Sequence, residues 1–298
     1  MRRREDSRRI GIDLGGTKIE GVVLAGVGEV IMRQRVMTES AKGYDHIVDR
    51  VVSLAQELRR YAPECERLGI GTPGSVSART GAMKNSNTTC LNDRTLPEDI
   101  ALRLGLPVVI ENDANCFALA EATAGAGRGA NLVFGVILGT GVGGGFVYRG
   151  ELLRGPQHLA GEWGHHCLDP AGPPCYCGQS GCVEAYIAGP AVAREYARRT
   201  GVEVDMGAIV DRAHAGEAIA REVLDAFLSR FGRALANVVD IIDPDVIVLG
   251  GGLSHIDELY TRGRAAVARC VFNDELRTPI CRNQLGDSAG VIGAALLT

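Results

Sequence analysis

An α/β fold in two lobes is what the 298-residue sequence predicts, and three observations carry that prediction. Short β-rich runs alternate with helical periodicities along the whole chain. The unit strand, glycine turn, strand occurs at residues 10–24 and again at 133–148. Thr17 and Thr140, each preceded by glycine, lie 123 residues apart, far outside solenoid periods but right for two duplicated domains. The length suits about two domains, and 46% hydrophobic residues are enough to bury a sizeable core.

Residues 10–14 and 19–24 flank Gly15-Gly16, so they form a hairpin with its tip there. A third run, 30–36, pairs with it. In 44–61, Ile47, Val51, Leu54 and Leu58 recur at steps of three and four, which makes an amphipathic helix. Residues 68–71 read as a short buried strand leading into the turn Thr72-Pro73-Gly74-Ser75. Strand 106–111 precedes an alanine-rich helix over 113–125, for which Asp113 can serve as N-cap. Strands 133–138 and 146–148 enclose a second glycine turn, 139–145. Beyond a loop rich in His and Cys, helical patterns run to Ile242, with Val223, Phe227, Phe231, Leu235 and Val238 on one face. Asp243-Pro244-Asp245 breaks that helix before strand 246–249 and a third glycine turn, 250–252.

With 32 basic and 36 acidic residues, the net charge of −4 does not point to a nucleic-acid partner. No window resembles a membrane span; the longest uncharged apolar stretch, 132–148, is broken by five glycines between Gly139 and Gly145. The basic opening, MRRREDSRR, is followed by no apolar h-region and reads as a solvated extension on a cytoplasmic protein. Nine cysteines, an odd number without a signal peptide, argue against a disulfide framework and for a metal site or buried thiols.

Forty glycines are nearly twice the usual share. Three glycine turns, each after an apolar strand, let backbone N–H groups approach phosphate oxygens without interference from Cβ, although each alone also suits a tight hairpin. Gly139-x-Gly141-x-x-Gly144 lacks the following helix of a dinucleotide fingerprint, and Gly16-Thr17-Lys18 is not a Walker A loop. Asp13, within an otherwise apolar strand, suits hydrated Mg²⁺ beside nucleotide phosphates or, more simply, caps its own turn. Asp113, at a strand-to-helix junction after Glu111-Asn112, is a candidate general base with Asn112 as hydrogen-bond partner for a polyol; the plain alternative is a cap alone. Cys175, Cys177 and Cys182, with a histidine about ten residues upstream, supply four ligands for tetrahedral, structural zinc. His165 and His166 compete for the nitrogen position.

These pieces resemble the ROK family of sugar kinases and repressors, on the actin-like, hexokinase-type ATPase fold (ribonuclease H-like, two lobes around a cleft). The resemblance rests on Asp13 to Lys18, Glu111 to Cys116, Gly139 to Gly145, Gly161 to His165, Cys175 to Glu184 and Asp243 to Gly252, which occur in family order from Ile10 to Leu297. The segment Thr72 to Ser77, followed by Lys84 to Asn92, looks most like bacterial fructokinases that also accept mannose. The resemblance implies an ATP-dependent kinase making fructose 6-phosphate, with glucose or an N-acetylhexosamine as alternative substrate. It implies ATP, Mg²⁺ and structural Zn²⁺ as cofactors. Asp113 is then the catalytic base. Gly74, Asn112, Asp113, Glu162, His165 and Glu184 hold the sugar. Gly11, Asp13, Gly15, Gly16, Thr17, Lys18, Gly139, Thr140, Gly141, Gly143 and Gly144 serve the phosphates, with Gly251 and Gly252 bordering the adenosine. His165, Cys175, Cys177 and Cys182 are the zinc ligands. The lobes are expected over 1–113 with 287–298, and over 114–286, with domain closure excluding water. A homodimer is common in the family. A sugar-sensing repressor, which the family also contains, needs a DNA-binding domain that nine residues before the first strand do not supply.

Overall fold

The structure, a computed structural model, describes residues 8–298; most of the basic opening run lies outside the described residues. In chain order it has strands β1 (Arg9–Leu14), β2 (Lys18–Ala25) and β3 (Glu29–Met37), helix α1 (Tyr44–Arg59), and β4 (Leu68–Thr72). The small hairpin β5 (Ser75–Val76) and β6 (Met83–Lys84) precedes α2 (Leu96–Leu104), β7 (Val108–Asn112) and α3 (Asp113–Ala124). Then come β8 (Leu132–Leu138), β9 (Val142–Tyr148), β10 (Glu151–Leu152) and helices α4 (Glu184–Ile187), α5 (Gly189–Thr200), α6 (Met206–His214) and α7 (Ala218–Ile242). The chain closes with β11 (Val246–Gly250), α8 (Arg262–Ala268), β12 (Ile280–Arg282) and α9 (Ala289–Leu296).

The sheet orders β3-β2-β1-β4-β7 and β10-β9-β8-β11-β12 are the same pattern used twice, which is the duplication seen in the glycine turns. In the first sheet β2 is antiparallel to β1 and β3, whereas β1, β4 and β7 run parallel, with Asp13 beside Gly71 and Thr72 beside Asn112. Parallel register therefore brings the carboxyl ends of β1, β4 and β7 to one edge, where open α/β sheets hold ligands.

Two compact units divide the chain. One runs through Gly129 and includes Gly145–Ala160 and Leu285–Thr298; the other is Ala130–Gly144 with Gly161–Gln284. The sequence expectation placed a boundary after residue 113. In the structure α3 stays with the first unit, because it packs on α9 so closely that a Cβ on Gly293 would lie 1.8 Å from the Cys116 carbonyl oxygen. Helix α3 is apolar on nearly all sides and correspondingly enclosed, with residues 114–121 buried. By contrast α1 and α7 are amphipathic: Ile47, Val51 and Leu58 of α1, and Phe227, Phe231 and Leu235 of α7, are buried. Asp243, in the left-handed region at φ 48°, ends α7, and Pro244 cannot continue it.

Three local expectations change. The N-cap of α3 is Asn112, whose Oδ1 accepts from Ala114 N at 2.9 Å, and Asp113 is the first helical residue. The second glycine turn is shorter than expected, since Gly143 and Gly144 belong to β9. Gly11 lies in mid-strand beneath α9, where a Cβ would meet Ala295 N at 2.4 Å, so packing explains that glycine.

Candidate functional site

In the first unit the edge formed by β1, β4 and β7 presents carboxylates. Asp13, next to last in β1, pairs across the hairpin with Glu20, which is 1% exposed and meets Arg35 Nε at 2.6 Å and Arg33 Nε at 3.1 Å. Burial above all, then the charges of Asp113 and Glu20, push Asp13 up to about 7 against the opposing pull of Lys18. A carboxylate in that company fits a divalent cation, whose charge would offset the repulsion. Beside it, the exposed turn Gly16-Thr17-Lys18 is closed by Gly15 N donating to Lys18 O at 3.0 Å. Buried Thr38 braces it, its Oγ1 donating to Gly15 O at 2.6 Å and its backbone N–H to Thr17 O at 2.9 Å. Nothing in the sequence pattern marked Thr38.

The turn at Asn112-Asp113 is fixed from three sides. Asp113 Oδ1 accepts from Ala114 N at 2.8 Å, and Asn112 Nδ2 donates to Gly74 O at 3.1 Å. Gly74 has φ 82°, and a Cβ there would meet Lys84 O at 2.4 Å, so the close backbone approach needs glycine. The third support is Glu111, whose Oε1 accepts from Asn112 N at 3.0 Å. Cys116, fully enclosed below the turn, has its thiol pushed well up by burial, with Glu111, Asp13 and Asp113 adding to the effect.

In the second unit Gly139 and Thr140 of the second glycine turn and residues Gly252 and Leu253 line one cavity of about 890 Å³, completed by Gly189, Arg194 and Met206 among others. The second and third glycine turns thus meet, a Cβ on Gly139 lying 3.8 Å from Gly252 N. Gly139 O accepts from Gly189 N at 2.8 Å, which anchors the turn to the start of α5. Gly251, at φ 78°, approaches Leu138 so closely that a Cβ would lie 2.4 Å from its carbonyl oxygen. Packing accounts for Gly144, where a Cβ would meet the Trp163 ring at 2.7 Å, and beside it Trp163 Nε1 donates to Gly143 O at 2.9 Å.

The ligand atoms of His165, Cys175, Cys177 and Cys182 all lie within 4.8 Å of one another. Cys175 Sγ is 3.6 Å from His165 Nδ1, and Cys177 Sγ is 3.6 Å from Cys182 Sγ. A tetrahedron with Zn–S of about 2.3 Å and Zn–N of about 2.0 Å has edges of roughly 3.5–3.8 Å, so the donor set fits zinc. His165, and not the exposed His166, supplies the nitrogen, through Nδ1; its Nε2 is 3.0 Å from the Tyr176 hydroxyl. Chain direction then leads from Cys182 to Glu184, whose Oε2 accepts from Val142 N at 2.8 Å. Glu162 is exposed at the start of the same loop.

A family model described as the ROK family matches residues 9–298. The chain is 38% identical over 298 residues to an N-acetyl-D-glucosamine kinase of Photobacterium profundum, covering 96% of this chain and 98% of that one. It is 36% identical over 298 residues to an N-acetylgalactosamine kinase of a Shewanella species, covering 96% and 95%. Among solved structures it resembles a ROK hexokinase from Thermus thermophilus, with a TM-score of 0.89, 34% identity and 97% of each chain covered. A ROK family glucokinase from Streptomyces griseus, in complex with glucose and AMPPNP, matches with a TM-score of 0.79 and 30% identity over 98% of this chain and 99% of that one. The fold is the hexokinase-type, actin-like ATPase fold.

Proposed function

Because the chain belongs to the ROK family, we propose that it is an ATP-dependent sugar kinase whose acceptor is an N-acetylhexosamine, N-acetylglucosamine first. The observation that supports the acceptor is the run of relatives, 34–38% identical over nearly the whole chain, that are N-acetylglucosamine or N-acetylgalactosamine kinases. This reading replaces the fructose and mannose preference expected from the sequence, since none of these relatives is a fructokinase. Fructokinase-like wording around Thr72 to Asn92 lies in the hairpin and loop that support Gly74, and its hydrogen bonds serve that support: Asn92 Oδ1 accepts from Ser86 N while Asn92 Nδ2 donates to Ser86 O.

In the proposed reaction the sugar hydroxyl oxygen forms a bond to the γ-phosphorus as the bond to the β–γ bridging oxygen breaks, and ADP leaves with the electron pair. The hydroxyl proton passes to the Asp113 carboxylate, late, because the transition state is loose and positioning matters more than basicity. Asn112, held by Gly74 O, presents its amide to a neighbouring hydroxyl. Glu162, His165 Nε2 and Glu184 are the remaining sugar ligands, and Gly15 to Lys18 and Gly139 to Gly141 offer backbone N–H groups to phosphate. Magnesium beside Asp13, when bound, supplies charge neutralisation for the phosphates. His165, Cys175, Cys177 and Cys182 would hold zinc, which would order the loop between Glu162 and Glu184.

A coupled ADP-release assay over N-acetylglucosamine, N-acetylgalactosamine, N-acetylmannosamine, glucose, fructose and mannose tests this reading. The N-acetylated sugars are expected to give the highest kcat/KM; a higher value for fructose or glucose overturns the acceptor assignment. Asp113→Asn is expected to lose at least about a hundredfold in kcat while still binding sugar. Full turnover in that variant removes the base role.

A further inference from the structure

Below the Asn112-Asp113 turn lies a carboxylate that the proposed mechanism does not use. Glu111 is 8% exposed, and each of its oxygens is engaged. Oε1 accepts from the backbone N–H of Asn112 at 3.0 Å and from Asn115 Nδ2 at 2.9 Å, so it clamps the residue before the base to the first turn of α3. Oε2 accepts from Arg154 Nε at 2.6 Å. Arg154 follows β10, on a different chain segment, and its side chain is 41% exposed, so it reaches the enclosed carboxylate from the solvent side. Asn115 Oδ1 has no hydrogen-bond partner among the described residues, and a Cβ on Gly145 would lie 2.6 Å from it. The amide is therefore held by its donor end alone, through Glu111.

We propose that Arg154 is a positioning residue for phosphoryl transfer: through its ion pair with Glu111 it fixes the backbone at Asn112 and thereby the direction in which Asp113 meets the acceptor hydroxyl. Without the guanidinium, Glu111 becomes an enclosed charge in the company of Asp113 and Asp13, with Glu20 further along β2. An unpaired carboxylate there turns outward toward water and releases the Asn112 N–H. A displacement of the reacting group by about 1 Å is enough to cost on the order of a hundredfold in rate.

The inference rests on Asp113 as base, and the experiment separates the two. Arg154→Met is expected to lower kcat about 10- to 100-fold with the KM for ATP within threefold of the native enzyme. Arg154→Lys, which restores a cation, is expected to recover kcat to within about fivefold. The double variant Glu111→Gln with Arg154→Met is expected to exceed Arg154→Met alone, because the amide oxygen still accepts from Asn112 N and no charge is left uncompensated. A purely structural loss would lower the active fraction and recover in neither way. Arg154→Gln, read in the same assay, replaces Arg154→Met if the latter does not fold. Hydrogen exchange supplies a readout independent of the sugar and of the base: the Asn112 amide is expected to exchange faster in Arg154→Met than in the native protein. Unchanged kcat, failure of both recoveries, or unchanged Asn112 exchange overturns the proposal. Full turnover in Asp113→Asn with faster Asn112 exchange in Arg154→Met would remove the base reading and leave the link from Arg154 to the turn intact.

Discussion

The Glu184 carboxylate accepts the backbone N–H of Val142 at 2.8 Å, which ties the end of the His-Cys loop to the strand that leaves the second glycine turn. A Cβ on Gly141 would lie 2.7 Å from the same oxygen, so the approach also explains that glycine. In the proposed reading, glutamate at this position has two tasks, one oxygen for the turn and one for sugar. Glu184→Gln keeps an acceptor for Val142 N and is expected to weaken sugar binding at least about tenfold while the KM for ATP stays within threefold. Glu184→Ala, which removes the support, is expected to raise the KM for ATP as well. Equal ATP constants in the two variants would dissociate the turn from Glu184.

The sulfur and nitrogen spacing in the His165, Cys175, Cys177 and Cys182 cluster predicts about one zinc per chain in freshly purified protein. Burial pushes the Cys182 thiol up to about 12, so without metal this thiol stays protonated at neutral pH. Zinc removal should release the loop, lower the melting temperature and weaken sugar binding, with recovery on adding zinc. Elemental analysis showing no zinc, or a melting temperature unchanged by a strong chelator, contradicts the assignment.

Asp13 predicts a pH effect on stability. Its carboxyl is raised from 3.8 to about 7 in the folded protein, first by burial. Between those values the native state holds a proton that the unfolded chain has lost, so stability falls as pH rises through that window. Asp13→Asn removes the fall. In Mg²⁺- and nucleotide-free buffer this variant is expected to be more stable than the native protein above pH 7, by on the order of a few kcal/mol, and to match it near pH 4. Parallel melting profiles across that range would show that Asp13 carries no such strain.

Two glycines of the first hairpin should respond differently to alanine. At Gly11 the added Cβ would meet Ala295 N at 2.4 Å and Val291 O at 2.5 Å, so Gly11→Ala is expected to cost about 3 kcal/mol or more of stability. At Gly16 the nearest atom is Thr88 Oγ1 at 3.3 Å, and the turn is exposed. Gly16→Ala is therefore expected to keep the native melting temperature within a few degrees while raising the KM for ATP. Chemical melts with ATP titrations of both variants check the distinction; a destabilised Gly16→Ala with native ATP affinity reverses it.

Much of this molecule was legible in one dimension because its signals are local. Apolar periodicity placed α1 and the buried face of α7, and the Asp243-Pro244 break placed the start of β11. The glycine turns gave away the duplicated sheet order, and the C-x-C-x4-C spacing marked the loop whose three thiols gather around His165. The sequence also determined which residue types stand at strand ends, hence Asp13 and Asp113 as candidates. Tertiary structure decided what spacing cannot encode. Whether Gly11 and Gly144 serve phosphate or packing depends on how near α9 and Trp163 come, a distance set by distant parts of the chain. His165 was chosen over His166 because only one ring of an adjacent pair turns toward the cysteines. Glu111 and Arg154, 43 residues apart, and Thr38, 23 residues from Gly15, act through contacts that exist only once β-sheet register has brought them together. Local residue patterns fixed the elements and the chemistry on offer, while long-range packing fixed which of those groups hold one another in place.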